Sequence, residues 1–380
     1  MFTDDLAEHR GYLEDATRLS AYLRALKEVV TGSSRVLDLG AGTGILGLLA
    51  CEAGAGRVYA VDAGSMLDVA RAVADGGPYR YRIRHVAGWS TQVTLPEPVD
   101  LVVADQMDPF AVLAGLLDAF ADARRRHLKP GGVTMPSRIR LFLAPVEHAP
   151  EHEAIDFWDS RPAGFDFASV RTMAVNNRIW VDLDATSLLA DEALVATLDP
   201  GQVSAEALSL TASFTAGRAG TFNGWGGWFS AQLSPSVAMS NSPADPLRIQ
   251  RKHQLLPLPA PVAIEAGTRL EAKVVVEPRA QELAWTTVVT PPGGGAPKTF
   301  QQSTFLGRPM SLASLEVRRS DHRPIRSSLG QVRSEILAMC DGNHTVAQIE
   351  AHVFERFRGL FAFPELASVF IRDAIAQAAR

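Results

Sequence analysis

Along the first third of the chain, short apolar runs alternate with stripes of helical spacing. Val36-Leu37-Asp38-Leu39 predicts a buried strand, and it feeds directly into Gly40, Gly42 and Gly44. The leucine-rich stretch Ile45 to Ala53 then predicts a helix. Before the glycines, Tyr12, Leu19, Tyr22, Leu23, Leu26 and Val30 fall on one face of a single N-terminal helix. Further strands are predicted at 57–61, 81–86 and 99–104, and a helix at about 111–127. Leu128-Lys129-Pro130-Gly131-Gly132 ends that helix and starts the next strand. Repeated strand–helix units of this kind predict a parallel sheet with ligands above the carboxyl ends of its strands.

Past residue 140 the helical period fades. Alternating stretches at 138–146, 208–215, 227–234 and 270–277, separated by turns rich in Gly, Pro, Ser and Asn, predict an all-β barrel or sandwich. After residue 310 the helical period returns. Leu329, Val332, Ile336, Leu337 and Met339 predict one helix, Ile349, Val353 and Phe357 a second that starts at Thr345, and a third runs towards residue 380. The organisation read from the pattern is therefore an α/β domain over 1–137, a β-barrel domain over 138–310 and a small, mostly helical domain over 311–380.

Composition narrows the function. The net charge of −5 and pI near 6.0 give no basis for binding nucleic acid or an anionic membrane. Cys51 and Cys340 are the only cysteines, which leaves no disulfide framework or cysteine-rich zinc site and suits a reducing cytosol. No metal site is expected. The N-terminus MFTDDLAEHR is acidic and polar, unlike a signal peptide, and no run approaches the ~18 apolar residues of a membrane span. A cytoplasmic enzyme is expected.

The chemistry starts at the glycines. Asp38-x-Gly40-x-Gly42-x-Gly44 lets backbone approach a ligand closely, and Asp62, followed by Ala63, lies at the tip of the second strand, placed to accept hydrogen bonds from ribose hydroxyls. This order resembles motif I of class I S-adenosylmethionine-dependent methyltransferases. Around it stand His9, Leu13, Asp15 and Arg18 in the pattern H-x-x-x-L-x-D-x-x-R, then LKPGGVTMPSRIRLF at 128–142, FWDSRPAGFDFASVR at 157–171 and SNSPADPL at 240–247. Together these resemble the protein arginine methyltransferase family, a Rossmann-like methyltransferase domain followed by a β-barrel. The resemblance implies S-adenosylmethionine as cofactor. It implies that Arg18 pairs with the cofactor's carboxylate, that Asp38, Gly40, Gly42, Gly44, Ala63 and Asp105 line it, that Asp62 holds its ribose, and that Trp89 and Ser90 lie near its adenine. It also implies a homodimer built through an arm near 150–180.

Two departures bear on the acceptor. The family clamps a guanidinium between two glutamates on the loop after strand four. Here the first aligns with Asp105, one methylene shorter, and the second with Ala114. The barrel's Thr-His-Trp signature is replaced by Arg248-Ile249-Gln250. A clamp on a planar cation needs well-placed carboxylates, so the acceptor is expected to be an amine instead. Asp105 and Asp108 are candidate carboxylates to attract an ammonium and assist its deprotonation. Asp108-Pro109-Phe110 weakly resembles the acid-Pro-Pro-aromatic loop of amino-nitrogen methyltransferases; its simpler reading is a cap on a helix starting near Pro109. His9 and Tyr12 can close over the site, and His253 is a candidate auxiliary base.

The last domain, LGQVRSEILAMCDGNHTVAQIEAHVFERF at 329–357, resembles the small peptide-binding domain first known from pyrroloquinoline quinone biosynthesis, which binds leader peptides by adding them as an edge strand. The combination predicts N-methylation of an amine on a leader-bearing, ribosomally made peptide, in the manner of daptide-type dimethylation of a C-terminal amine. The alternatives are an arginine methyltransferase with a degenerate clamp and a catalytically silent binding scaffold.

Overall fold

The computed structural model describes residues 2–202, 206–309, 311–361 and 363–378. Two compact units divide the chain, Met1–Pro309 and Met310–Arg380.

The predicted N-terminal helix is two helices, α1 (Phe2–Glu14) and α2 (Ala16–Val29). Asp15 separates them because its carboxylate caps α2, accepting the Arg18 N–H at 3.0 Å. The strands and helices that follow are β1 (Arg35–Leu39), α3 (Ile45–Glu52), β2 (Arg57–Asp62), α4 (Met66–Asp75), β3 (Ile83–Ala87), β4 (Val99–Val103), α5 (Leu116–Arg126) and β5 (Leu128–Met135). The five strands form a parallel sheet in the order β3-β2-β1-β4-β5. The run of Val and Leu in β1 and β4 is buried on both faces, as a strand covered by helices on each side must be. Helix α5 begins later than the pattern predicts: residues 111–115 are irregular, Ala111 has φ of 63°, and Gly115 turns the chain into the helix.

The antiparallel part contains β6 (Arg138–Val146), α6 (Ala149–Asp156), α7 (Ala168–Ala174), β7 (Ile179–Val181), β8 (Ala193–Leu198), β9 (Leu208–Thr215), β10 (Gly220–Gln232), β11 (Ala238–Ser240), β12 (His253–Ile264), β13 (Arg269–Glu277), β14 (Glu282–Thr290) and β15 (Lys298–Ser303). One sheet runs β7-β12-β10-β6-β8, with β11 on β10, and the other β15-β14-β13-β9. The inner residues of β13 and β14 alternate buried with half-exposed, the mark of a sheet with one covered face. The Trp225 indole on β10 crosses between the two sheets and donates to the Thr287 hydroxyl of β14 at 2.7 Å. A single hydrophobic core, including Leu37, Phe110, Leu141 and Trp225, runs through the parallel and the antiparallel parts alike. The arm at α6 and α7 leaves Phe157 and Phe165 exposed.

The second unit holds α8 (Leu312–Glu316), α9 (Ser328–Met339), α10 (Val346–Arg356) and α11 (Pro364–Ala378). Val332, Ile336, Ile349, Val353 and Ile371 make its core. Thr345 and Gln348 form a reciprocal capping box that starts α10. Among its described residues the unit contains no strand, so it offers no edge of its own for the predicted strand addition. Among the described residues, no helix is long and apolar enough to cross a membrane.

Candidate functional site

The site lies at the carboxyl ends of β1, β2 and β4, where the sheet's loops meet α1 and the segment before β12. Gly40 (φ 67°) and Gly42 (φ 51°) hold backbone that L-residues rarely adopt. A Cβ on Gly40 would run into the Gln106 side chain, and one on Gly42 into the His9 ring. Gly44 (φ 76°) turns the chain into α3. His9 therefore rests on the glycine loop.

Asp38, at the end of β1, is fully buried. Its Oδ2 accepts the Gly47 N–H at 2.8 Å, whereas Oδ1 is buried with no hydrogen-bond partner. Burial, partly offset by Gly47, pushes its carboxyl up to about 7. Asp62, at the end of β2, is held by two backbone donors, Gly42 N–H at 2.8 Å and Gly64 N–H at 2.6 Å. Beside it opens a cavity of about 330 Å³ lined by Gly40, Asp62, Ala63, Trp89, Ser90 and Gln106, among others. The Trp89 ring is exposed at its edge, and the loop it sits on is fastened by Arg126, which donates to the carbonyls of Ser90 and Val93.

Arg18, Asp38 and Asp105 do not line this cavity. Arg18 is buried in the first turn of α2, donates its Nε–H to Asp105 Oδ2, and gives an Nη1–H to the Tyr12 carbonyl at 2.8 Å. A second cation meets the same carboxylate. Arg251 donates Nη1–H to Asp105 Oδ1 at 3.3 Å and Nη2–H to Oδ2 at 3.2 Å, and also bonds the Met107 carbonyl at 2.5 Å. Both guanidiniums stand about the Tyr12 ring, each 5.4 Å from its centroid. Sequence reasoning did not find Arg251. It lies in an irregular segment 146 residues from Asp105, with no periodicity to announce it.

Tyr12 and Arg251 also line a larger cavity, about 500 Å³, together with Glu8, Asp108, Trp180 and Lys252, among others. The Tyr12 hydroxyl donates to Glu8 at 2.6 Å, and burial together with that bond pushes the phenol up to about 12, so it stays a donor. Asp108 is not a free carboxylate. Its Oδ1 accepts the Leu113 N–H at 3.0 Å and its Oδ2 an Arg178 Nη1–H at 3.1 Å, while burial raises its pKa. It braces the irregular stretch before α5, not a helix starting at Pro109. Ala114 is exposed and does not line the cavity.

His253 is structural. Its Nδ1 accepts the Leu183 N–H at 3.0 Å, which leaves Nε2–H to donate to the Asn241 carbonyl at 2.7 Å. Burial lowers its pKa, and no substrate-facing nitrogen remains.

Two family models match. Residues 137–287 match the arginine methyltransferase oligomerization subdomain, and residues 15–140 match the ribosomal protein L11 methyltransferase model. Protein arginine N-methyltransferase 6 of Xenopus tropicalis is 30% identical over 288 residues, covering 72% of this chain and 84% of that protein. The chain belongs to the protein arginine N-methyltransferase family. The match to the probable protein arginine N-methyltransferase 1.2 of Arabidopsis thaliana, 30% identical over 210 residues, spans only 57% of that relative and 54% of this chain. Among solved structures, the Trypanosoma brucei PRMT1 enzyme–prozyme heterotetrameric complex with AdoHcy superposes at a TM-score of 0.70 and 20% identity, over 78% of this chain and 96% of that one. Arabidopsis thaliana protein arginine methyltransferase 10 gives 0.69 at 23%, over 80% and 99%. At these identities the structures speak for the family fold: a Rossmann-like parallel sheet followed by an antiparallel β part.

Proposed function

We propose that the protein is an S-adenosylmethionine-dependent N-methyltransferase that acts on an amine of a ribosomally synthesised peptide. The residues of the first cavity fit the cofactor: Gly40 on the glycine loop leaves no room for a Cβ, and Asp62 is already oriented at the tip of β2 by two backbone N–H groups. When bound, S-adenosylmethionine supplies a methyl group activated on a sulfonium. Asp62 would hold the ribose and Trp89 and Ser90 the adenine end, while Arg18, which stands behind this cavity with its Nε–H on Asp105 and an Nη1–H on the Tyr12 carbonyl, has its remaining guanidinium N–H groups for the carboxylate.

The larger cavity takes the acceptor. Glu8 lines it, has no arginine partner among the described residues, and is the carboxylate suited to draw in an ammonium and accept its proton. Tyr12, protonated, holds Glu8 in place, and His9 steadies the glycine loop. Asp105 orients Arg18 and Arg251, and Asp108 keeps the loop's shape. The observation that carries the reading is that Asp105 already binds two guanidiniums while Ala114 is exposed, so a clamp of two open carboxylates for a substrate arginine is missing.

The match to the oligomerization subdomain and the exposed Phe157 and Phe165 support a homodimer through the 150–180 arm. Unit 310–380 would recognise the leader of a daptide-type precursor through its helices. Mass spectrometry with S-adenosylmethionine tests this reading by setting an arginine-rich peptide against a leader-bearing peptide with a free aliphatic amine at its C-terminus. Methylation of the amine peptide alone, lost on removing residues 311–380, is the expected result. Methylation of arginine alone would overturn it.

A further inference from the structure

The geometry points to Arg251 as an internal guanidinium that occupies Asp105 where a substrate arginine would dock, so that Arg251 selects against guanidinium acceptors. The inference deepens the amine-methyltransferase reading and rests on it for the assignment of the larger cavity as the acceptor site.

Three observations build it. First, the pairing is two-pronged: two Arg251 nitrogens meet the two Asp105 oxygens, the geometry in which guanidinium and carboxylate match best. With the Arg18 Nε–H added, three of the roughly four lone-pair positions of the carboxylate are in use. Secondly, Arg251 is held in place from both sides. The Gln250 N–H donates to Asp15 Oδ2 at 2.8 Å, and the Lys252 carbonyl accepts from Asn241 Nδ2 at 2.9 Å. Asn241 itself accepts the His253 Nε2–H on its own carbonyl. A side chain whose backbone is pinned at both neighbours is not easily displaced by a ligand. Thirdly, the Arg18–Asp105–Arg251 group carries a net charge of +1, buried to 7% exposure or less at each side chain; of the three, Arg251 lines the larger cavity, with Lys252, which stands 4.0 Å from Asp182, and with the single opposing carboxylate of Glu8 beside the braced Asp108. A substrate guanidinium keeps its charge at any working pH and meets that field throughout, whereas an ammonium drawn in by Glu8 loses its charge when it gives up its proton there.

The test measures binding of a Gly-Arg repeat peptide by calorimetry, with S-adenosylhomocysteine present, to the wild-type full chain and to Arg251→Gln, Arg251→Ala and Arg251→Lys. Gln keeps a donor for the Met107 carbonyl and most of the packing, which guards against a folding defect. Retained S-adenosylhomocysteine binding identifies the folded variants. The wild type and Arg251→Lys are expected to bind the arginine peptide weakly, and the two neutral variants at least about tenfold more tightly, the scale of one charge-assisted contact regained. Neutral variants that bind S-adenosylhomocysteine but stay within twofold of wild type for the arginine peptide would overturn the inference, as would tight binding by the wild type. Methylation of the amine peptide by the wild type is scored separately. A gain in arginine binding without any amine transfer would sink the parent reading and leave the role of Arg251 standing. Amine transfer without that gain would do the reverse.

Discussion

Asp38 ends β1 with one oxygen on the Gly47 N–H and the other buried without a partner, and its carboxyl is pushed up to about 7. In the unfolded chain the same group ionises near 4. Below about pH 4 both states hold the proton and the folded state bears no penalty. As pH rises from there, the unfolded chain releases the proton while the native one keeps it, so stability falls, and the loss is complete once pH passes about 7. Moving an acid from 3.8 to about 7 corresponds to roughly 4 kcal/mol in all. About 3 kcal/mol of it falls between pH 5 and pH 8. Asp38→Asn keeps an acceptor for Gly47 and cannot ionise. Its difference from wild type should therefore shift by about 3 kcal/mol in the variant's favour between those two pH values. Every other titrating group is common to the two proteins and cancels, as does any fixed cost of the new amide. The six tryptophans, at 89, 158, 180, 225, 228 and 285, all lie in unit 1–309, so urea unfolding followed by tryptophan fluorescence reports the unit that contains Asp38. Parallel stability curves for the two proteins from pH 5 to pH 8 would refute the argument.

Other residues give sharper functional readouts. Asp62→Ala removes the acid at the tip of β2 and the acceptor for two backbone N–H groups; calorimetry should show S-adenosylhomocysteine affinity reduced about tenfold to a hundredfold. Glu8→Gln keeps a partner for the Tyr12 hydroxyl but loses the charge; steady-state kinetics should show a raised KM for the amine peptide with cofactor affinity unchanged. His253→Gln should lower stability by about 2 kcal/mol in chemical denaturation, through two disrupted buried hydrogen bonds, and leave the pH profile of methyl transfer where it was.

The parallel sheet could be read from the sequence because its signals are local. Runs such as Val36–Leu39 and 99–104 must be strands when both faces are covered, and the glycines that follow leave few alternatives. Strand β9 sits where the alternation puts it, at Leu208–Thr215, whereas β10 begins seven residues before its predicted start because the stretch from Phe222 to Phe229 is buried on both faces and shows no alternation. Helix α5 starts later than its pattern predicts for a related reason: the apolar residues at 110–113 are core by way of an irregular loop braced by Asp108, and a helical stripe looks the same in one dimension. The proposed cofactor and acceptor sides of the site repeat this contrast. Asp38, Asp62 and the glycines announce themselves within a short window. Arg251 meets Asp105 only through the packing of the barrel segment on α1 and α2, and a lone arginine before a strand carries no pattern. His253 has the opposite problem, since a histidine looks chemically capable until both its nitrogens are found spoken for by backbone.

Asp15 has a consequence for the order in which the molecule assembles. The contacts around the glycine loop join residues close in sequence, 9 apart for Asp38 and Gly47 and 20 for Asp62 and Gly42. Those that hold the segment before β12 against the α1–α2 junction and the loop after β4 span 146 residues for Asp105 and Arg251, and 235 for Asp15 and Gln250. Closing the longer loops costs more chain entropy and waits for the barrel strands between them. In pulsed hydrogen exchange during refolding the Gly42 amide should gain protection before that of Gln250, and the reverse order would contradict this. On the proposed reading, a chain part-way through folding holds its cofactor cradle ready while the wall that chooses the acceptor is still missing, so selectivity is the last property the protein acquires.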